Sequence, residues 1–245
     1  MFDYEYWHIK VVYDLIGYLC AFLTSYIFYK KVFRHWELPH PFTSSSQRWE
    51  YYLYVIAWAM LGGVVISTFD GAMIPGRNPE WWLLLSKSIA WALFGGVITA
   101  EMYKYLHRIK IPTGILFLPG IVIGVFIGRF GAIATGLRDF TYGLPTTLPW
   151  WVDFGDGIVR HPTMIYEMIL LMIFFMIFCF WLYWRERIWW IWNGFYVFII
   201  TYFIYRFSVG FIQPYSTWWL WLSTYQMISI PMIAYWWKML KNNHL

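Results

Sequence analysis

The chain has 245 residues, of which 60% are apolar, 24% aromatic and only 13% charged, a composition that excludes an ordinary soluble domain and reads as an integral membrane protein. Its 18 Lys and Arg against 13 Asp and Glu give a formal charge of +5. The basic residues sit in short loops between apolar runs, which argues for orientation in a membrane and against nucleic acid as a partner.

Seven apolar runs approach the ~20 residues that a membrane helix needs, at about 11–29, 51–69, 82–103, 112–133, 163–184, 188–210 and 217–237. The fold expected is an all-α integral membrane protein, with seven transmembrane helices in one polytopic domain over residues 1–245. Ahead of the first run stand Asp3 and Glu5 rather than a basic patch, so no removable signal peptide is expected. Lys30, Lys31, Arg34, Arg48, Lys104, Arg108, Lys110, Arg185, Arg187, Lys238 and Lys241 fall on one side of the runs. Only Lys10, Arg77, Arg138 and Arg160 fall on the other. The positive-inside rule then places the N-terminus outside, the C-terminus in the cytoplasm, and a loop at about 134–162 on the outer face.

Trp81, Trp82, Trp150, Trp151, Trp189, Trp190, Trp218 and Trp219 mark the ends of the runs and read as an interfacial belt. Cys20 and Cys179 each lie inside a run and read as small core residues rather than a disulfide or metal pair. In the third run Lys87 is near the outer end, where it can snorkel, and Glu101 near the inner end. The fourth run has Gly120, Gly124 and Gly128 every four residues, a small-residue stripe that lets another backbone approach closely. Pro119 and Gly120 mark a kink or a cavity-lining point on it.

Arg129 follows that stripe. An arginine within a hydrocarbon segment costs about 2.5 to 3.5 kcal/mol on insertion scales, so it faces a cavity or a partner. The outer loop is rich in Pro and Gly, and the segment around Trp150 to Gly157 alternates aromatic and polar residues as a hairpin does. Asp139, Asp153 and Asp156 lack the ligand set that calcium needs, so no metal is expected and pairing with Arg138, Arg160 or an intramembrane arginine is preferred. His161 and Pro162 open the fifth run, and Glu167 lies inside it. Glu167 reads either as a buried ion pair with Arg129 or Arg206, or as an acid or base at a substrate pocket. Arg206 lies near the outer end of the sixth run. Two guanidiniums at one depth point to an anionic headgroup site.

Four segments carry a resemblance to the prolipoprotein diacylglyceryl transferase family: Gly128-Arg129-Phe130-Gly131, His161-Pro162-Thr163-Met164-Ile165-Tyr166-Glu167, Tyr205-Arg206-Phe207, and Gln226-Met227-Ile228-Ser229-Ile230-Pro231-Met232. The resemblance runs from about residue 50 to the C-terminus. It implies transfer of a diacylglyceryl group from phosphatidylglycerol, or a related anionic phospholipid, to the cysteine of a lipoprotein signal peptide, without a cofactor, in the bacterial cytoplasmic (inner) membrane. It further implies Arg129, Arg206, His161 and Glu167 as catalytic residues, and Gly128, Gly131, Tyr166, Lys87, Asp153 and Gln226 as substrate-binding ones. Three positions depart from the family pattern: Ala132 stands for an Asn, Gly210 for a Glu, and Phe94, before Gly95-Gly96, for a His. These departures keep two other expectations in play, a transferase with another acceptor and a lipid-binding protein without transfer. A small transporter is the third alternative, but no internal repeat supports it.

Overall fold

Each apolar run becomes an α-helix in a computed structural model, which describes residues 4–35, 41–66, 88–184, 187–215, 217 and 219–242. The seven α-helices among the described residues are α1 Tyr4–His35, α2 Ser45–Leu61, α3 Ile89–Leu106, α4 Leu118–Thr135, α5 Thr163–Trp184, α6 Arg187–Val209 and α7 Thr224–Asn242. Lys87, Arg77, Trp81, Trp82 and Trp218 lie outside the described residues.

Local chemistry sets the boundaries. Ser44 caps α2 by accepting from the Gln47 amide, and Ser88 caps α3 by accepting from the Trp91 amide, the role in which serine is favoured. Pro119 sits in the first turn of α4, where its missing N–H costs nothing. It therefore starts the helix, with a 3-10 turn at Gly114–Leu116 before it, instead of kinking it. Gly136, at φ +56, ends α4. Ser223 and Gln226 form a capping box on α7: Gln226 Oε1 accepts from the Ser223 amide at 2.9 Å, and Ser223 Oγ accepts from the Gln226 amide at 3.4 Å. The last apolar run starts later than expected, because a 3-10 turn at Trp219–Trp221 with left-handed Leu220 precedes the helix.

Among the described residues, four helices contain a stretch long and apolar enough to cross a membrane: His8–Lys31, Leu118–Thr135, Thr163–Trp184 and Ile188–Val209. α3 carries Glu101 and Lys104, and α7 carries Gln226, Lys238 and Lys241. α2 passes into a π-helical turn, Gly62–Ile66.

Small residues decide which helices touch. A Cβ on Gly17 of α1 would lie 2.9 Å from the Gly124 carbonyl oxygen, and one on Gly124 would lie 2.9 Å from Ala21 Cβ. The glycine stripe of α4 is thus the seat of α1. Gly63 likewise meets Ala92, and Gly96 meets Ala59, joining α2 to α3. The core is aromatic: Phe174 and Phe178 of α5 pack on Trp190 and Phe198 of α6, and Trp236 of α7 lies against Phe195 and Tyr196. Trp190, expected in the interfacial belt, is only 7% exposed and belongs to this core. Cys20 and Cys179 are free thiols.

Candidate functional site

α4, α5 and α6 meet around a single carboxylate. Glu167 of α5 is 2% exposed, Arg129 of α4 9% and Arg206 of α6 5%. Arg129 Nη2 donates to Glu167 Oε1 at 2.9 Å and lies 2.7 Å from Oε2. Arg206 Nη1 is 3.6 Å from Oε2, an ion pair beyond good hydrogen-bonding distance. The Tyr202 hydroxyl, one turn before Arg206, donates to Glu167 Oε1 at 3.1 Å. Both expectations for Glu167 as a partner are met at once, since it joins Arg129 and Arg206. With its oxygens so occupied, it holds the two arginines.

The cluster is unbalanced. Among the described residues two guanidiniums face one carboxylate, which leaves one positive charge in excess in a buried setting. The Nε–H groups of Arg129 and Arg206 are buried without a hydrogen-bond partner among the described residues. Arg206 also lies over the Tyr225 ring, 5.0 Å from its centre, and Tyr225 packs on Tyr215 at 4.9 Å. A site with surplus charge, unfilled donors and aromatic walls is suited to an oxyanion.

His161 and Tyr166 form a second feature. Trp150 Nε1 donates to the Tyr166 hydroxyl at 2.9 Å, and that hydroxyl is 3.1 Å from His161 Nδ1. These three residues, with Leu148, Pro162, Ile165, Ile169 and Ile212, line an open groove of about 520 Å³. The backbone behind His161 is laced by bonds from the Gly143 amide to the His161 carbonyl, the His161 amide to the Leu144 carbonyl, and the Leu144 amide to the Ile212 carbonyl. A side chain at Gly143 would collide with His161 Cβ.

Other expected site residues have structural partners. Gly128 and Gly131 face α1, with Asp14 Oδ1 3.7 Å and Tyr13 Cβ 3.0 Å from where their Cβ atoms would be. Gln226 caps α7, and its Nε2 donates to the Phe207 carbonyl at 3.2 Å, so it ties α7 to α6. A Cβ at Gly210 would lie 2.7 Å from Gln226 Cγ, so this amide occupies the room beside that position. Asp153 shapes the tip of a hairpin, its Oδ1 accepting from the Gly155, Asp156 and Gly157 amides. That hairpin pairs Val152–Asp153 with Val159–Arg160, the form expected of this stretch. Asp156 pairs with Arg160 at 2.6 Å, and the hydrogen bond from Arg160 holds its carboxyl below the ordinary carboxylate range. Asp139 pairs with Lys10 of α1. Tyr202 was missed, although its place four residues before Arg206 puts it on the same helix face. Gln213 was also missed, and Thr163 and Tyr205 stood in the resembling segments without a role of their own. The Tyr205 hydroxyl donates to the Thr163 carbonyl at 2.8 Å, fixing the first turn of α5.

The family model described as prolipoprotein diacylglyceryl transferase matches residues 7–240. A curated phosphatidylglycerol–prolipoprotein diacylglyceryl transferase of Nitratidesulfovibrio vulgaris is 32% identical over 133 residues, covering 51% of this chain and 48% of that protein. One of the same name from Wolbachia sp. subsp. Drosophila simulans is 32% identical over 125 residues, 46% of this chain and 45% of its own. Another from Finegoldia magna is 42% identical over 52 residues, 21% and 19% of the two chains. The matched stretch spans about half or less of the length of these curated relatives.

Proposed function

The chain belongs to the prolipoprotein diacylglyceryl transferase family, and on that premise we propose that it moves a diacylglyceryl group from phosphatidylglycerol to the cysteine thiol of a prolipoprotein signal peptide. The observation that carries the reading is the excess positive charge and unfilled Nε–H donors of the Arg129–Glu167–Arg206 cluster. A phosphodiester anion neutralises that charge and fills those donors. The thiolate sulfur attacks the glycerol carbon that bears the phosphate. The new S–C bond forms as the C–O bond breaks, and its electron pair leaves on the phosphate oxygen of glycerol phosphate. Charge grows on that oxygen in the transition state, where preorganised arginines in a dry site stabilise it.

A thiol is only a few per cent ionised near neutral pH, so a base aids the step. Glu167 is a positioning residue here, and His161, on the groove rim, takes the proton. When His161 donates Nδ1–H to the Tyr166 hydroxyl, its Nε2 lone pair is left for the thiol. The reading includes one multi-pass domain with seven spans in the bacterial cytoplasmic membrane, the N-terminus and the 134–162 loop outside, and the C-terminus in the cytoplasm. The basic loops support that orientation.

One observation favours lipid binding without transfer: Gln226 fills the room beside Gly210, where the family pattern has a glutamate. Complementation separates the two. In a bacterial strain depleted of its own prolipoprotein diacylglyceryl transferase, expression of this chain is expected to restore growth and lipoprotein maturation, and Arg206→Ala to restore neither. Accumulation of unmodified prolipoprotein beside stably inserted wild-type chain contradicts the transferase reading.

A further inference from the structure

A buried acceptor without a donor stands beside the cluster, and its neighbours define its chemistry. Gln213, in the turn after α6, is 6% exposed. Its Nε2 donates to the Thr141 carbonyl at 3.2 Å and to Thr163 Oγ1 at 3.4 Å. Thr163 commits its own hydroxyl proton to that same Thr141 carbonyl. Both neighbours are therefore acceptors toward Gln213, and only the amide nitrogen can face them. This fixes the amide orientation, which is otherwise a free choice. Gln213 Oε1 is directed elsewhere, buried and without a hydrogen-bond partner among the described residues. An orphaned buried oxygen of this kind is destabilising and calls for a missing donor.

Its position names the donor. Thr163 and Glu167 are four residues apart on α5, about one helical turn, so Gln213, bonded to Thr163, stands on the side of the carboxylate toward the start of the helix. In the chain it lies between Ile212, which lines the groove, and Tyr215, which packs on the Tyr225 ring beneath Arg206. We infer that Gln213 Oε1 accepts a hydrogen bond from a headgroup hydroxyl of the bound phospholipid, so that the site selects a polyol phosphodiester over one without headgroup hydroxyls. This rests on the phosphate clamp proposed above. With phosphate at Arg129 and Arg206, a short polyol reaches outward to Gln213. A neutral hydroxyl suits a cluster with surplus positive charge, whereas an ammonium headgroup adds to that surplus.

The test is binding of two lipids to the full chain in detergent: phosphatidylglycerol, and phosphatidylpropanol, which has the same phosphodiester and no headgroup hydroxyl. Wild-type protein is expected to bind phosphatidylglycerol about tenfold more tightly. Gln213→Met removes the acceptor and brings phosphatidylglycerol down to the phosphatidylpropanol level, leaving phosphatidylpropanol unchanged. Arg206→Ala weakens both lipids by the same factor. Equal wild-type affinities overturn the inference without any variant, and so does a Gln213→Met loss shared equally by the two lipids; in both cases the clamp stands if Arg206→Ala still weakens binding. Unchanged binding of both lipids to Arg206→Ala overturns the clamp, and the headgroup reading with it.

Discussion

A single nitrogen of Arg129, Nη2, contacts both carboxylate oxygens of Glu167, at 2.9 and 2.7 Å. The pairing is therefore not a fork against a fork, and the rest of the guanidinium is not claimed by the carboxylate. Glu167 aims Arg129 and Arg206 while leaving donors over. Removing the carboxylate leaves two like charges buried together, and breaking a buried pair in this way costs about 3–5 kcal/mol. Glu167→Gln is expected to lower the thermal unfolding temperature in detergent and abolish transfer, while Arg206→Lys, which keeps the charge but loses the fork, unfolds near the wild-type temperature. The comparison of the two melting curves checks this.

The contact of α1 with α4 depends on the absence of a side chain at Gly17, where a Cβ would stand 2.9 Å from the Gly124 carbonyl oxygen. Gly17→Val is expected to destabilise the protein by about 1–3 kcal/mol through overpacking. Reversible unfolding in mixed detergent measures it. A wild-type midpoint would mean that the helices do not approach this closely.

The Trp150–Tyr166–His161 chain predicts a shared loss of activity. Trp150→Phe removes one hydrogen bond and Tyr166→Phe two, and each is expected to lower transfer about tenfold or less. The double variant should be no worse than the poorer single one, since both act through His161. Independent, multiplying losses measured in the transfer assay would break the chain into unrelated contacts.

Asp156 gives the pH dependence of the hairpin. Its carboxyl is held below the ordinary range by Arg160, so its contribution is present above the unfolded carboxylate pKa of about 3.9 and lost as pH falls through the lower folded value. The carboxyl carbon shift of Asp156, followed by NMR, should titrate below that ordinary value in wild type and move up toward it in Arg160→Gln. A midpoint at the ordinary value in wild type would dissolve the pair.

Much of the site was legible because charge in an apolar run is informative. Arg129, Glu167 and Arg206 each lie in such a run, and the cost of burying them alone requires that they meet. The small-residue stripe at Gly120, Gly124 and Gly128 was equally readable, but not its partner α1, because a stripe specifies close approach without saying to what. Tyr202 and Gln213 were missed for a related reason. Neutral polar residues are common in aromatic-rich helices and turns, and their roles come from tertiary neighbours such as Glu167 and Thr163. Trp190 was misread because a tryptophan near a helix end serves an interface or a core equally well. Gln226, expected to bind substrate, also caps the start of α7, a role that only the tertiary structure displays.

The most direct test of the central claim is a transfer assay with purified protein, phosphatidylglycerol radiolabelled in its diacylglyceryl part, and a lipobox peptide. Label is expected on the peptide cysteine with wild-type protein, and to vanish with Arg129→Ala and Arg206→Ala. Label that still reaches the cysteine in a folded Arg206→Ala variant at the wild-type rate would contradict the phosphate clamp. No label with wild-type protein that retains phosphatidylglycerol would contradict the transferase itself.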